Sequence, residues 1–326
     1  MIVTVTTVVV LVIGVLSLAL ALYGGYVSSE ILEKTTGNNE QQLAAEQRYY
    51  LLGMIGIIVL AARLLNVPVF FWMLQSLVPY CPGAMCSYGV INVGNPWSTI
   101  ALVLKLLLPF AYGSWLVLEV ANRRNPNLVF MRDLVRTFLI LLVPLILLDS
   151  TMDLFLVASI RPVYAPCCSS VYDVDPPFSP SAILGPEVGW IIMEATIILT
   201  LLLIFIQWIE VRFRSFREVV IFLAAAVSVL YLVALHDTYA PLILGLTSHH
   251  CPYCLFQEFP DTALFAGLFW VGVASTGWRV LLESLWMRKN PSKQSITSIV
   301  NLLRKLSSVA LLFSMVSMVS HLLLVL

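Results

Sequence analysis

Apolar runs of about 20 residues recur along the whole chain, and each is long enough to cross a bilayer as a helix. The composition agrees, because 60% of the 326 residues are hydrophobic and 11% are charged. Lipid offers no hydrogen-bond partner to an open backbone, so each run has to be helical. The sequence therefore predicts an all-α, polytopic integral membrane helix bundle that forms a single membrane domain over residues 1–326. The approximate spans, eight in all, are 2–23, 50–78, 97–120, 134–159, 188–210, 219–240, 262–285 and 306–325.

Lysine and arginine are distributed unevenly between the connecting segments. The basic segments, with thirteen of these residues, are 24–49, 121–133, 211–218 and 286–305. The alternate loops, with Arg161 as their only basic residue, are 79–96, 160–187 and 241–261. Basic residues near membrane spans stay in the cytoplasm. We therefore expect the three alternate loops and both termini to lie outside, in a prokaryotic cytoplasmic membrane, with residues 1–23 as a retained helix.

The three outer loops hold all six cysteines, two in each loop. The pairs are Cys81 and Cys86, Cys167 and Cys168, and Cys251 and Cys254. An oxidising outer compartment favours structural disulfides, and a redox or metal device is the alternative. The Cys81/Cys86 spacing allows a local disulfide, which slightly favours the structural interpretation. A bond between adjacent cysteines is strained, so Cys167 and Cys168 are each expected to pair with another loop.

The pair Cys251/Cys254 has the C-x-x-C spacing of exchange-active dithiols and metal clips. Pro252 is a favoured first residue of a helix, so we expect a helix to begin there. The positive end of its dipole would then raise the thiolate fraction of the pair. His249 and His250 precede the pair, and a protonated imidazole would act in the same direction. These features favour a reactive role.

The segment from Cys251 to Pro260 resembles the C-x-x-C segment of the vitamin K epoxide reductase family and of bacterial DsbB-type proteins. Gln257 and Pro260 match the Gln and the later Pro of the DsbB-type pattern, whereas Glu258 stands where those proteins have Arg. The resemblance covers about ten residues. It implies electron exchange between the C-x-x-C, a quinone near Gln257, and a second cysteine pair from another loop, either Cys81/Cys86 or Cys167/Cys168.

Polar residues recur in the outer halves of the spans, where ionisable groups are costly and often functional. The set comprises Lys105, Asp149, Asp153, Glu194, His236 and His321. Internal ion pairs, such as one between Lys105 and Asp149, would lock helices together. The alternatives are a water-accessible cavity, a proton path, a transport site, or a pocket for a quinone headgroup.

Four histidines are candidate ligands. His249 and His250 lie beside the C-x-x-C and suit copper or zinc. His236 and His321 could ligate a haem from two facing helices. The net charge is zero and the sequence has no basic patch, so we expect no binding to nucleic acid. The expected partners are the lipid bilayer and other membrane or periplasmic redox proteins.

The leading hypothesis is an extracytoplasmic thiol–disulfide or electron-transfer protein that passes electrons to a quinone. The alternative is a non-catalytic integral subunit of a respiratory or electron-transfer complex, with disulfide-braced outer loops and a bound haem or metal. No phosphate-binding loop, metalloprotease motif or serine-nucleophile elbow supports ATP-driven or hydrolytic chemistry.

Overall fold

A computed structural model describes residues 2–35, 39–166, 168–173, 179–209, 217–289 and 296–325. Within these ranges the regular structure is entirely helical. Eight of the described helical segments are long and apolar enough to cross a membrane. The all-α class and the eight predicted spans are therefore confirmed, and the chain has the character of an integral membrane protein.

The chain divides into two compact units of four spans each. The first comprises residues 1–165 and 285–296, and the second comprises 166–284 and 297–326. The single membrane domain stays a prediction.

The first unit contains four long helical segments and one short helix. Its helices are α1 (Val5–Lys34), α2 (Asn39–Leu77), α3 (Ser87–Val93), α4 (Trp97–Arg124), α5 (Leu128–Thr137) and α6 (Val143–Ser159). A 3-10 turn (Val78–Tyr80) follows α2, and a π-helical segment (Phe138–Leu142) joins α5 to α6 as one span. Helix α1 packs against α2 and α6, and α4 packs against α2 and α6.

Helix α1 buries a face of small residues, among them Gly14, Ser17, Ala21 and Gly24. Small residues let membrane helices approach closely where larger side chains would hold them apart. At Gly24 an added Cβ would lie 2.8 Å from the ring of the buried Phe138. This close approach positions α6, and with it the acidic residues described below.

Helices α1 and α2 are longer than the apolar runs that predicted them, and this moves the predicted boundaries. Their polar ends are paired: Glu30 forms an ion pair with Arg48 and another with Lys34 at 3.8 Å. An ion-paired polar extension costs a helix little, although it carries no hydropathy signal.

The second unit also contains four long segments, with short helices between them. Its helices are α7 (Ser169–Tyr172), α8 (Pro180–Leu184), α9 (Pro186–Ile209), α10 (Arg217–Ala234), α11 (Ala240–Leu244), α12 (Pro252–Glu258), α13 (Pro260–Lys289) and α14 (Thr297–Val325). A π-helical segment (Leu235–Tyr239) joins α10 to α11 within one span. Apolar side chains of α9, α10, α13 and α14 form the core, in which the rings of Tyr231 and Phe269 stack 3.7 Å apart.

Candidate functional site: a three-sulfur cluster and its histidine

Three cysteine sulfurs from two loops meet in the second unit. The Sγ atoms of Cys168, Cys251 and Cys254 all lie within 4.8 Å of one another, and that of Cys168 is 3.5 Å from that of Cys254. Cys168 and Cys251 are buried, and Cys254 is partly exposed. The Cys168 and Cys254 sulfurs are therefore in van der Waals contact across the two loops, and Cys254 is the most exposed of the three cysteines.

The sequence around the C-x-x-C explains how its two sulfurs converge. Cys251 is the N-cap of α12 and Pro252 its first residue, as the position of the proline predicted. Cys254 then falls in the first turn, where its side chain returns toward the N-cap. Helix α12 ends at Glu258, however, and α13 begins separately at Pro260. The dipole at Cys251 is thus that of a seven-residue helix and not that of the seventh span.

His249 connects the two ends of the short helix α7. Its Nε2 lies 4.0 Å from Cys168 Sγ, and its Nδ1 is within hydrogen-bond distance of Asp173 Oδ1. Cys168 is the N-cap of α7 and Asp173 its C-cap, so one turn of helix fixes both partners. The carboxylate orients the imidazole and directs its other nitrogen toward the sulfur, an arrangement that serves a base or a ligand.

His250 takes a different direction from its neighbour. Its carbonyl oxygen accepts a hydrogen bond from His236 Nδ1 at 2.5 Å, and its own Nδ1 has no hydrogen-bond partner among the described residues. Burial lowers the pKa of the His250 imidazole, and the nearby His236 lowers it further. Asp237 opposes this shift. Of the two histidines predicted as metal ligands, only His249 faces the sulfurs.

The π-helical segment Leu235–Tyr239 carries a run of polar residues. Asp237 is buried and accepts hydrogen bonds from Ser179 Oγ and from Ser181 Oγ at 2.8 Å, so it holds the start of α8 against this span. A π-turn adds a residue to the helix and changes which side chains face inward. The segment therefore anchors the chain that follows Cys168 in sequence.

His321 engages both of its ring nitrogens. Its Nδ1 lies 3.2 Å from the Tyr239 hydroxyl, and its Nε2 lies 2.8 Å from Asp261 Oδ2. His236 uses Nδ1 for the His250 carbonyl. An iron ligand at His321 would have to displace one of these two partners, so this geometry gives the predicted haem no support.

In the first unit, four charged side chains form a buried ion-pair cluster. Lys105 Nζ lies 2.6 Å from Asp149 Oδ1 and 2.7 Å from Asp153 Oδ1. Arg63 Nη1 lies 2.5 Å from Asp149 Oδ2, and its Nη2 is 2.6 Å from Ser150 Oγ. All four charges are at most 2% exposed and they balance. The predicted Lys105–Asp149 ion pair is confirmed, and it belongs to a larger network across α2, α4 and α6.

Two residues of this network were missing from the predicted site set. Arg63 lies near the middle of the second span, away from the outer halves in which the predicted set was sought. Asn66, three residues later on the same face, places its Nδ2 3.5 Å from Asp153 Oδ2. A charge in an apolar run with a second polar residue at i+3 is the sequence signal that points to both.

Two other predicted residues lie at the surface. Glu194 is exposed on α9, and its predicted role stays a prediction. The buried face of α9 runs through Met193, Thr196 and Thr200, and a residue one position past Met193 is rotated by about 100° from that face. Gln257 is exposed at the end of α12.

Cys81 and Cys86 lie in the first unit, both buried. Burial raises the pKa of the Cys81 thiol. Cys81 has a free thiol, so the local disulfide that the spacing allows is absent from the part of the chain that the structure describes. The loop is fixed instead by its backbone: Gly83 has φ +83°, and the Ala165 N–H donates to the Pro82 carbonyl at 2.8 Å. Cys167 lies outside the described residues.

Comparisons with protein-family models, with curated proteins and with solved structures find no match to this chain.

Proposed function

We propose that this protein catalyses thiol–disulfide exchange on the outer side of a membrane, with Cys251 and Cys254 as the redox pair and Cys168 as the sulfur that relays electrons. The observation that carries the proposal is the meeting of three sulfurs from two loops within 4.8 Å. A structural disulfide needs two sulfurs, whereas exchange needs a third that attacks one of them.

The exchange step follows from the contact between Cys168 and Cys254. With Cys251 and Cys254 joined as a disulfide, the Cys168 thiolate attacks the Cys254 sulfur from 3.5 Å. A Cys168–Cys254 bond forms, the Cys251–Cys254 bond breaks, and Cys251 leaves as a thiolate that takes up a proton. The electron pair moves from one sulfur to another, and no net oxidation occurs in this step.

His249 is the group that prepares the attacking sulfur. Its Nε2 is 4.0 Å from the Cys168 Sγ, within reach of the thiol proton after a small approach. Asp173 holds the opposite nitrogen and stabilises the imidazolium that forms when the proton moves. This arrangement favours a reactive role of the cysteines over a structural disulfide, because a structural disulfide needs no base.

Net turnover needs an electron acceptor. Oxidation of a dithiol releases two electrons and two protons, and a quinone takes up both when it becomes a quinol. A membrane quinone is the acceptor that the resemblance implies, and membrane or periplasmic thiol proteins would be the electron donors. The uneven distribution of basic residues supports an outward position of the cysteine loops.

The proposal is tested with purified protein in detergent, reduced, freed of metal and of excess reductant, and kept without oxygen. Addition of a short-chain soluble quinone should give one quinol per chain while two thiols disappear. Cys254→Ser should abolish this reaction, and Ser248→Ala, an exposed neighbour of His249, should leave it unchanged. A wild-type protein that keeps its thiols and forms no quinol would refute the proposal.

A further inference from the structure

We propose that the reduced sulfur cluster is also a zinc site, in which one Zn²⁺ ion binds to Cys168, Cys251, Cys254 and His249. Three sulfurs and one imidazole match the Cys₃His donor set of tetrahedral zinc. The four donors come from two loops, so no single segment of sequence shows them together.

Two of the six donor–donor distances are close to those around such an ion. Tetrahedral zinc with Zn–S bonds of 2.3 Å holds two sulfurs about 3.8 Å apart, and a sulfur and an imidazole nitrogen about 3.6 Å apart. The Cys168 and Cys254 sulfurs are 3.5 Å apart, and His249 Nε2 is 4.0 Å from Cys168 Sγ. Both edges therefore differ from the expected values by only a few tenths of an ångström, and Cys251 Sγ lies within 4.8 Å of the other two sulfurs.

The surroundings of His249 point to a ligand as well. A metal-bound histidine almost always donates its second N–H to a carboxylate or carbonyl, which fixes the tautomer and the ring orientation. Asp173 occupies this position on Nδ1 and leaves Nε2 directed at the sulfur. Cys168, Cys251 and His249 are buried, as in the closed zinc sites that hold structure and not substrate.

Zinc binding would make the site respond to both metal and redox state. The ion binds thiolates, so each coordinating thiol gives up its proton, and a disulfide between any two of the cysteines removes two ligands at once. Zinc would therefore hold the cluster reduced and prevent exchange. The inference needs only reduced thiols, and it stands independently of whether the protein reacts with a quinone.

Cobalt titration of the reduced, metal-free protein without oxygen tests the site directly. We expect one Co²⁺ per chain, with the sulfur-to-cobalt charge-transfer and visible bands of a tetrahedral thiolate site, and stoichiometric displacement by Zn²⁺. Cys168→Ser and His249→Asn should change these bands and weaken binding. Asp173→Asn, which removes no ligand, should weaken zinc binding by about 10- to 100-fold. Ser248→Ala should bind like the wild type.

A second measurement on the wild type does not depend on whether variants fold. With zinc bound, alkylation of Cys168, Cys251 and Cys254, followed by peptide mass spectrometry, should slow by at least about tenfold. Absent cobalt–thiolate bands, or a zinc-bound protein in which these three cysteines react as fast as in the metal-free protein, would overturn the inference. Because the quinone assay uses metal-free protein, zinc binding without quinol formation would refute the exchange function alone.

Discussion

At the scale of single residues, two adjacent histidines have separate roles. The His249 imidazole lies between Cys168 and Asp173, whereas the His250 carbonyl accepts from His236 and its ring is buried. Neighbouring residues in an extended segment direct their side chains apart. The pair H-H before a C-x-x-C is thus one site residue and one packing residue, and substitutions should separate them.

Removal of the His249–Asp173 arrangement should slow exchange and change its pH dependence. His249→Asn should lower the rate at which Cys168 attacks the Cys251–Cys254 disulfide by about 100-fold or more, the usual contribution of a general base. Asp173→Asn should lower it less. The increase of the rate with pH should move in His249→Asn to the range in which an unassisted thiol ionises, about pH 8.5. An unchanged pH–rate profile in that variant would show that His249 only packs against the sulfur.

His250 should make the folded protein sensitive to acid. Its pKa is lowered from the ordinary value of 6.5 by burial and by His236, so the unfolded chain binds the proton more readily than the folded one. Stability is then complete above about pH 6.5 and falls as the pH decreases toward the lowered pKa. His250→Gln should flatten the decline in thermal unfolding temperature between about pH 6.5 and 5. The same slope in both proteins would assign the acid sensitivity to other groups.

At the scale of helices, the ion-pair cluster of the first unit ties three spans together. Arg63 of α2 and Lys105 of α4 meet Asp149 and Asp153 of α6, and none of the four is accessible to solvent. A buried pair adds little over apolar packing, but loss of one partner leaves an uncompensated charge. The cluster therefore specifies which helix faces meet, since a rotation of α6 would strand two carboxylates.

Lys105→Met should lower the free energy of unfolding by about 3 to 5 kcal/mol, because two aspartates then face one arginine. Addition of Asp153→Leu should restore part of the loss, since the remaining charges, Arg63 and Asp149, balance. Thr151→Ala, a substitution in the same helix α6, removes only a hydrogen bond to the Leu147 carbonyl and serves as the control. Thermal unfolding in detergent measures all four proteins, and a Lys105→Met protein as stable as the control would remove this role.

At the scale of the whole molecule, hydropathy predicts the eight spans and the chain's cysteine-bearing loops, because burial in lipid imposes length and apolar composition on every helix. Hydropathy does not predict the ends of α1 and α2, since paired charges extend these helices beyond the apolar runs. The contact of Cys168 with Cys254 could not be predicted either. It joins residues 86 positions apart, and spacing alone left fifteen possible pairings of six cysteines.

The proposed outward position of the cysteine loops can be measured on intact cells. Ser248→Cys places an exposed thiol in the loop 241–261, and Pro126→Cys places one in the loop 121–133. A membrane-impermeant maleimide should modify position 248 from outside and position 126 only after permeabilisation. The reverse order would place the sulfur cluster in the reducing cytoplasm and leave exchange with an outer partner without a basis.

Disulfide trapping tests the central claim most directly. In Cys251→Ser the resolving thiol is missing, so Cys168 and Cys254 should remain bonded after the protein is oxidised by a quinone without oxygen and zinc. Peptide mass spectrometry should then find the Cys168–Cys254 cross-link in most chains, and Ser248→Ala should yield the Cys251–Cys254 bond instead. A Cys251→Ser protein in which Cys254 stays alkylatable, or bonds to a cysteine other than Cys168, would contradict the three-sulfur mechanism.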